Sequence, residues 1–219
     1  QNHREYDFEM RYFNADGSQS LCGNGSRCAI HLAQKLGIVQ YQTTFLTTDG
    51  PHEAYIKADS IHLKMHDVAQ LQRVGRDYFV DSGSPHYVKF VDELAPIAVS
   101  QVGPTICHSA PFGKGGTNVN FVQQQADNAL WVRTYERGVE GETLSCGTGA
   151  VAVALAATER GYQSPISIHT QGGRLEVHFE STPNHGFQDI YLVGPARMVF
   201  QGTIDTQAVD KEAHTSTQA

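Results

Sequence analysis

The stretch Cys146-Gly147-Thr148-Gly149-Ala150-Val151-Ala152-Val153-Ala154-Leu155-Ala156-Ala157, running on to Gly161, decides the fold. Its alanines and leucine favour a helix, and a helix that is apolar on every side has no face to offer water, so it belongs inside the protein. A second Cys-Gly-Xaa-Gly, Cys22-Gly23-Asn24-Gly25, opens another helical pattern, with Ala29, Ile30, Ala33 and Leu36 at helical spacing and Gly37 as its stop. The two cysteines stand 124 residues apart, and the same spacing carries Gly23 to Gly147, Gly25 to Gly149 and Gly37 to Gly161. Further on, Thr48-Asp49-Gly50 matches Thr170-Gln171-Gly172 at a spacing of 122, each ahead of a strand-like run. The chain therefore reads as two homologous halves.

Around these helices, apolar and β-branched stretches alternate with turn signals. They are Phe8 to Phe13, Gln42 to Thr48, Glu53 to Ile56, Ile61 to Met65, Tyr78 to Val80 and Tyr87 to Val91 in the first part of the chain. Asn118 to Val122, Leu130 to Tyr135, Ile166 to Thr170, Leu175 to Phe179, Ile190 to Val193 and Arg197 to Phe200 follow. This pattern predicts antiparallel β-structure with hairpins at Asp49-Gly50 and Gly172-Gly173 and only two helices. The expected class is α+β, with two pseudo-symmetric domains, each a mainly antiparallel sheet wrapped around a central helix. Residues 1–66 would form the first domain, completed by 194–205; 67–193 would form the second, and 206–219 a polar, disordered tail.

Composition limits the partners. The 219 residues suffice for a sizeable core, and a formal charge of −7 without any Lys/Arg cluster argues against nucleic acid. No apolar run reaches membrane-spanning length and the first residues carry no signal-peptide core, so no membrane partner and a reducing, cytoplasmic setting are expected. Four cysteines are too few for a disulfide scaffold, and no Cys-x2-Cys pair exists, so free thiols and no metal are expected. Cys28, six residues into the first helix, and Cys107, in a loop-like region, read as structural. Gly113-Lys114-Gly115-Gly116-Thr117 lacks the spacing of a phosphate loop and reads as a flexible turn.

The chemistry of Cys-Gly-Xaa-Gly follows from helix termini. The first N–H groups of a helix lack intrahelical partners and, with the helix dipole, favour negative charge. A cysteine there ionises more easily, and the glycines let the backbone close on a carboxylate through the N–H groups of Gly23, Asn24, Gly147 and Thr148. Two thiols facing each other across a carbon would remove a proton from one side and return one to the other. Taken singly, the other polar residues have plainer readings: His86 as a core or surface histidine, Glu136-Arg137 as a surface pair, Asn14 and Asn118 as turn residues.

Phe13-Asn14-Ala15-Asp16-Gly17-Ser18, Cys22 to Cys28, Ser84-Pro85-His86, Thr117-Asn118-Val119, Glu136-Arg137-Gly138, Gly141 to Gly149 and Gly194-Pro195-Ala196 together closely resemble the diaminopimelate epimerases. The resemblance runs from about Phe8 to Ile204. It implies a cofactor-independent exchange of LL- and meso-diaminopimelate, on the route to lysine and peptidoglycan, and a homodimer. It also implies Cys22 and Cys146 as the acid/base pair, with His86 and Glu136 assisting. Gly23, Asn24, Gly147 and Thr148 would hold the reacting carboxylate, and Asn14, Ser84, Asn118, Glu136 and Arg137 would bind the rest of the substrate.

Three departures stand out. The family's opening segment, with its Gly-Asn-Asp-Phe motif and a later Gln, has no counterpart in this sequence, Ser84 stands where many members carry Asn, and Gly138-Val139-Glu140-Gly141 is one residue longer than usual. Two alternatives remain: a two-cysteine racemase of another amino acid such as proline or hydroxyproline, and an inactive binding or redox module with Cys22 and Cys146 joined as a disulfide.

Overall fold

A computed structural model describes residues 5–13, 17, 19 and 21–203. The first half contains β1 (Phe8–Glu9), helix α1 (Gly23–Lys35) and a meander of β2 (Gln42–Thr47), β3 (Gly50–Lys57) and β4 (Ser60–Lys64). The second contains β5 (Gln72–Val74), β6 (Asp77–Asp81), β7 (Pro85–Val91), α2 (Val99–Cys107), β8 (Asn118–Gln124), β9 (Ala129–Glu136) and β10 (Gly141–Thr143). Helix α3 (Gly147–Ala157) follows, then a meander of β11 (Ile166–Thr170), β12 (Gly173–Ser181) and β13 (Phe187–Gly194). The strands join one sheet in the order β1-β2-β3-β4-β13-β12-β11-β9-β8-β7-β6-β5, with β10 on β9. Pairing is antiparallel except at β1–β2, β7–β8 and β9–β11. This is the expected α+β fold.

Each half thus contains a cysteine followed by a helix and a three-stranded meander. The hairpins show the repeat in atomic detail. Thr47 and Thr170 each donate their hydroxyl to the carbonyl of the glycine three residues on, Gly50 and Gly173. Both glycines have positive φ, 124° and 134°, which an L side chain resists. The structural match is therefore Thr47 with Thr170 at a spacing of 123, one residue displaced from the match of Thr48 with Thr170 that the sequence suggested. The last strands of the two meanders meet: β4 pairs antiparallel with β13, setting Leu63 beside Leu192 and Ile61 beside Gly194.

Helix α3 is buried at all eleven positions, against β6 to β8 on one side and β11 to β13 on the other. Burying Val151, Val153 and Leu155 contributes about 1.5–3 kcal/mol apiece. Helix α1 is amphipathic and buries Gly23, Ser26, Arg27, Ile30 and Ala33, packing on β4. Leu36, assigned by spacing to the buried stripe, is its C-cap and is exposed.

Four expectations are corrected. Helix α2 was not anticipated, because Gly103 and Pro104 lie inside it. Gly103 is needed there, since a Cβ would meet the Tyr135 side chain at 2.5–2.7 Å. Cys107 closes this helix, fully buried, and is not in a loop. Phe8 to Phe13 forms a strand only at Phe8–Glu9. Arg197 to Phe200 forms none, because the described residues bring no strand beside it, and Val199 and Phe200 stand exposed. Among the described residues no helix is long and apolar enough to cross a membrane.

Candidate active site

Both motif cysteines are helix N-caps with nearly the same backbone: Cys22 at φ −118°, ψ 106°, and Cys146 at φ −115°, ψ 119°. The pairing of β4 with β13 brings the two helix mouths together. A Cβ on Gly23 would stand 3.6 Å from the Cα of Gly147, and one on Gly147 would stand 3.4 Å from the Cα of Gly23. Either would also meet Leu192 Cδ2 at 2.9 Å, closer than carbon atoms tolerate, so no larger residue fits without movement. Asn24 Nδ2 donates to the Ser145 carbonyl at 3.0 Å, tying one mouth to the other. Arg27 holds Asn24 in turn, donating to its Oδ1 at 2.8 Å and to the Gly23 carbonyl at 3.3 Å.

The surroundings of the two sulfurs differ. Cys22 is half-buried, and its Sγ accepts from the Gly25 amide at 3.3 Å. Tyr12 lies against the same turn, its Cδ2 3.3 Å from where a Gly25 Cβ would be. A hydrogen bond to Cys22, together with the cysteine's charge, raises the Tyr12 phenol above its usual range. Cys146 is buried, with Sγ 3.5 Å from Thr148 Oγ1. Contrary to the easier ionisation expected at a helix mouth, burial first, then the Glu136 carboxylate, push its thiol up to about 12, against the pull of the Thr148 hydroxyl.

Behind Cys146 runs a chain of hydrogen bonds. His86, on β7, is 0 % exposed, with Nε2 2.8 Å from Thr148 Oγ1 and 3.1 Å from Ser84 Oγ. Its Nδ1 faces Asn120 Nδ2 at 3.1 Å. An amide nitrogen only donates, so Nδ1 accepts and the ring proton sits on Nε2, aimed at Thr148 and Ser84. Asn120 is itself fixed, donating to the Tyr87 carbonyl at 3.1 Å and accepting from Thr134 Oγ1 at 3.0 Å. Burial, with Arg137 adding to it, pushes the imidazole down to about 3, so it is neutral. Ser82 Oγ donates to the Thr148 carbonyl at 2.8 Å and locks the first turn of α3.

The third group gathers at the ends of β7, β8 and β9. Asn118 Nδ2 donates to Ser84 Oγ at 3.2 Å and to the Pro85 carbonyl at 3.1 Å, and its Oδ1 accepts from the Arg137 amide at 3.0 Å. Glu136 accepts a short hydrogen bond from Thr143 Oγ1, which belongs to β10. The Arg137 guanidinium donates to the Gly115 carbonyl at 2.9 Å, and among the described residues no carboxylate pairs with it. The long loop that follows is pinned by Glu140, which accepts from the Gly138 amide and the Tyr135 hydroxyl and faces His108 Nε2, at 2.8–2.9 Å.

Of the sequence-predicted residues, Cys22, Gly23, Asn24, Cys146, Gly147 and Thr148 meet at the paired mouths, and Ser84 and His86 connect to them through Thr148. Asn118, Glu136 and Arg137 adjoin that group, while Asn14 lies outside the described residues. Asn118 spends both ends of its amide on the protein, so it fixes Ser84 and Arg137. His86 reaches Cys146 through Thr148, with no direct contact. Sequence reading missed Asn120, Arg27 and Tyr12. Asn120 was within reach, because residues two apart on a strand share a face and Asn118 was already chosen. The turn at Gly113 to Thr117, dismissed as flexible, supplies the carbonyl that holds Arg137.

A family profile for diaminopimelate epimerase matches residues 78–199. Proteins named diaminopimelate epimerase from Flavobacterium psychrophilum and Aquifex aeolicus are 46% identical over 208 residues and 34% over 220. These alignments cover 93% and 94% of this chain and 81% and 77% of the relatives. Among solved structures, a PhzF-family phenazine biosynthesis protein of Bacillus anthracis has a TM-score of 0.72 at 14% identity, covering 93% of this chain and 83% of that one. A probable proline racemase from Agrobacterium radiobacter reaches 0.67 at 17%, covering 94% and 74%. At such identities these two share the fold alone.

Proposed function

Because this chain belongs to the diaminopimelate epimerase family, we propose that it interconverts LL- and meso-diaminopimelate by proton exchange at one α-carbon, with Cys22 and Cys146 as opposed acid and base. The observation that carries this reading is the close packing of Gly23 on Gly147, where a Cβ on either would stand 3.4–3.6 Å from the other's Cα, so that two helix N-termini, each capped by a cysteine, lie side by side. A substrate carboxylate held there by the amides of Gly23, Asn24, Gly147 and Thr148 gains most when the α-proton leaves, because the enediolate places a second negative charge on its oxygens.

Cys146, a thiol at neutral pH, donates its proton to the α-carbon. Cys22 is then the thiolate that takes the α-proton from the opposite face. Each turnover exchanges the protonation of the two sulfurs, and the reverse reaction restores it, so acid and base are both side chains and no cofactor is required. Thr148 orients Cys146, and His86 orients Thr148 as a neutral donor. Arg137, without a carboxylate partner, is suited to the distal carboxylate. The proposal includes a cytoplasmic, reducing setting, in keeping with four free cysteines, and a homodimer, which sedimentation would check.

The test is incubation of reduced protein in D2O with a panel of amino acids. Deuterium at the α-carbon of diaminopimelate is the expected result; uptake into proline would redirect the substrate, and none after reduction would refute the enzyme reading.

A further inference from the structure

The two hairpins that match in backbone differ in side chains, and two of the differences stand out. Where the second has Gly172 and Leu175, the first has Asp49 and His52. Leu175 and His52 are equally buried, each 5 % exposed, so the fold accepts an aliphatic core residue here and the first half carries an imidazole in its place. Burying a polar ring costs free energy unless its nitrogens are used. The hairpin alone therefore does not account for Asp49 and His52.

A third residue completes the group. β3 and β4 pair with Ala54 beside Leu63, and the same register continued sets His52 beside Met65, with His66 next to it. His52 Nε2 lies 3.2 Å from both oxygens of Asp49, and His66 Nε2 lies 3.1 Å from Oδ2. The three donor atoms fall within 4.8 Å of one another. Thr47 Oγ1 bonds Asp49 Oδ1 and steadies the carboxylate, while the His52 ring packs against Phe45 at 5.8 Å. Asp49 and His66 face solvent, which leaves an approach open.

We propose that Asp49, His52 and His66 form a binding site for a divalent transition metal, with Zn2+ or Co2+ the fitting ions. Zinc binds imidazole nitrogen and carboxylate oxygen at roughly 2.0–2.2 Å, and tetrahedral ligands at that length lie about 3.3 Å apart. The N–O separations already match this edge. On binding, the metal replaces the Nε2 protons that now point at Asp49, each ring carrying its proton on Nδ1, and water fills the remaining position. Two imidazoles and one carboxylate discriminate against Mg2+, which prefers oxygen ligands.

The cluster of Cys107, His108 and Glu140 does not qualify. His108 turns Nδ1 toward Cys107 and the opposite nitrogen, Nε2, toward Glu140, so those donors do not converge on one point. At the Asp49 site both rings present the same nitrogen to one carboxylate. The site also sits close to the paired mouths: His66 Cδ2 would be 3.9 Å from a Cβ on Gly83, which in turn would be 3.8 Å from Thr148 Cγ2. A bound ion would brace that junction.

The test is titration of the reduced full chain with Co2+, followed by its visible d–d absorption, and with Zn2+ by calorimetry. One equivalent is expected to bind, with a nitrogen/oxygen spectrum free of the near-ultraviolet thiolate band, and Mg2+ to give no heat. His66→Gln and Asp49→Asn should each weaken binding at least tenfold while leaving metal-free turnover intact. A thiolate band would put the metal on the cysteines and overturn the proposal, as would undiminished binding in both variants or no binding at all. None of these outcomes depends on the substrate assignment.

Discussion

The two helix mouths share a motif and a backbone yet not an environment. At Cys22 the helix behind the sulfur is amphipathic, the sulfur is half-buried, and an amide three residues on caps it. At Cys146 the helix is buried on every side, and a hydroxyl, a neutral imidazole and an amide stand in line behind the sulfur. Duplication supplies two equal arms, and burial makes them unequal. Under the proposed proton exchange the matching backbone lets each sulfur reach its own face of the carbon, and burial holds Cys146 as the thiol that serves as acid.

The most severe way to break the pair is to remove a sulfur. Cys22→Ser and Cys146→Ser should each lower epimerisation by at least about 10³-fold, since an alcohol neither ionises nor attacks a proton as a thiol does at neutral pH. Near-normal turnover in either variant would remove the two-base scheme.

A gentler break leaves both sulfurs and spoils their alignment. Gly23→Ala or Gly147→Ala puts a methyl 2.9 Å from Leu192 Cδ2 and forces the mouths apart. A displacement of about 1 Å in a reacting pair can lower kcat about 10²-fold. The two variants should suffer alike, because the contacts are nearly mirror images, and Leu192→Val, which lacks the clashing carbon, should restore part of the loss. Unequal penalties, or no rescue, would show that the mouths are not coupled through Leu192.

Outside both mouths the prediction concerns binding. Arg137→Gln deletes a charged hydrogen-bond donor worth about 1.5–3 kcal/mol, so KM for diaminopimelate should rise roughly 10- to 100-fold with kcat changed less. A fall confined to kcat would place Arg137 among the groups that act on the transition state.

Much of this was legible before any coordinates. The all-round apolar helix and the turn glycines mark the class, because each is a local signal, and the repeated Cys-Gly-Xaa-Gly relates the two halves, although the hairpin match it suggested is one residue out. What escaped depends on partners distant in sequence. Helix α2 hides behind Gly103 and Pro104, whose local preference is overridden by a close fit to Tyr135. His86 looked like a candidate partner for a sulfur, but only tertiary structure inserts Thr148 between them. The failure of Arg197 to Phe200 to form a strand has the same cause: an alternating apolar run needs a neighbouring ladder, and its composition cannot say whether one is present.

The smallest effect at neutral pH is expected from His86→Gln, about tenfold in kcat, since Gln still donates toward Thr148 and only the fixed geometry behind Cys146 is relaxed. Its acid limb is more telling. In the fold this imidazole is held neutral down to about 3, whereas in the unfolded chain it takes up a proton near the ordinary value of about 6.5. Between those values the unfolded state binds more protons, so falling pH stabilises it and the native protein loses stability over that window, by as much as about 1.4 kcal/mol per unit from this one group. Among the described residues, no imidazole is hydrogen-bonded behind the Cys22 sulfur in this way. Denaturant midpoints measured from pH 7 to pH 4 should therefore fall more steeply for the native chain than for His86→Gln. Parallel curves would mean that His86 titrates in the fold as it does in water, and the dry environment assigned to the Cys146 mouth would be wrong.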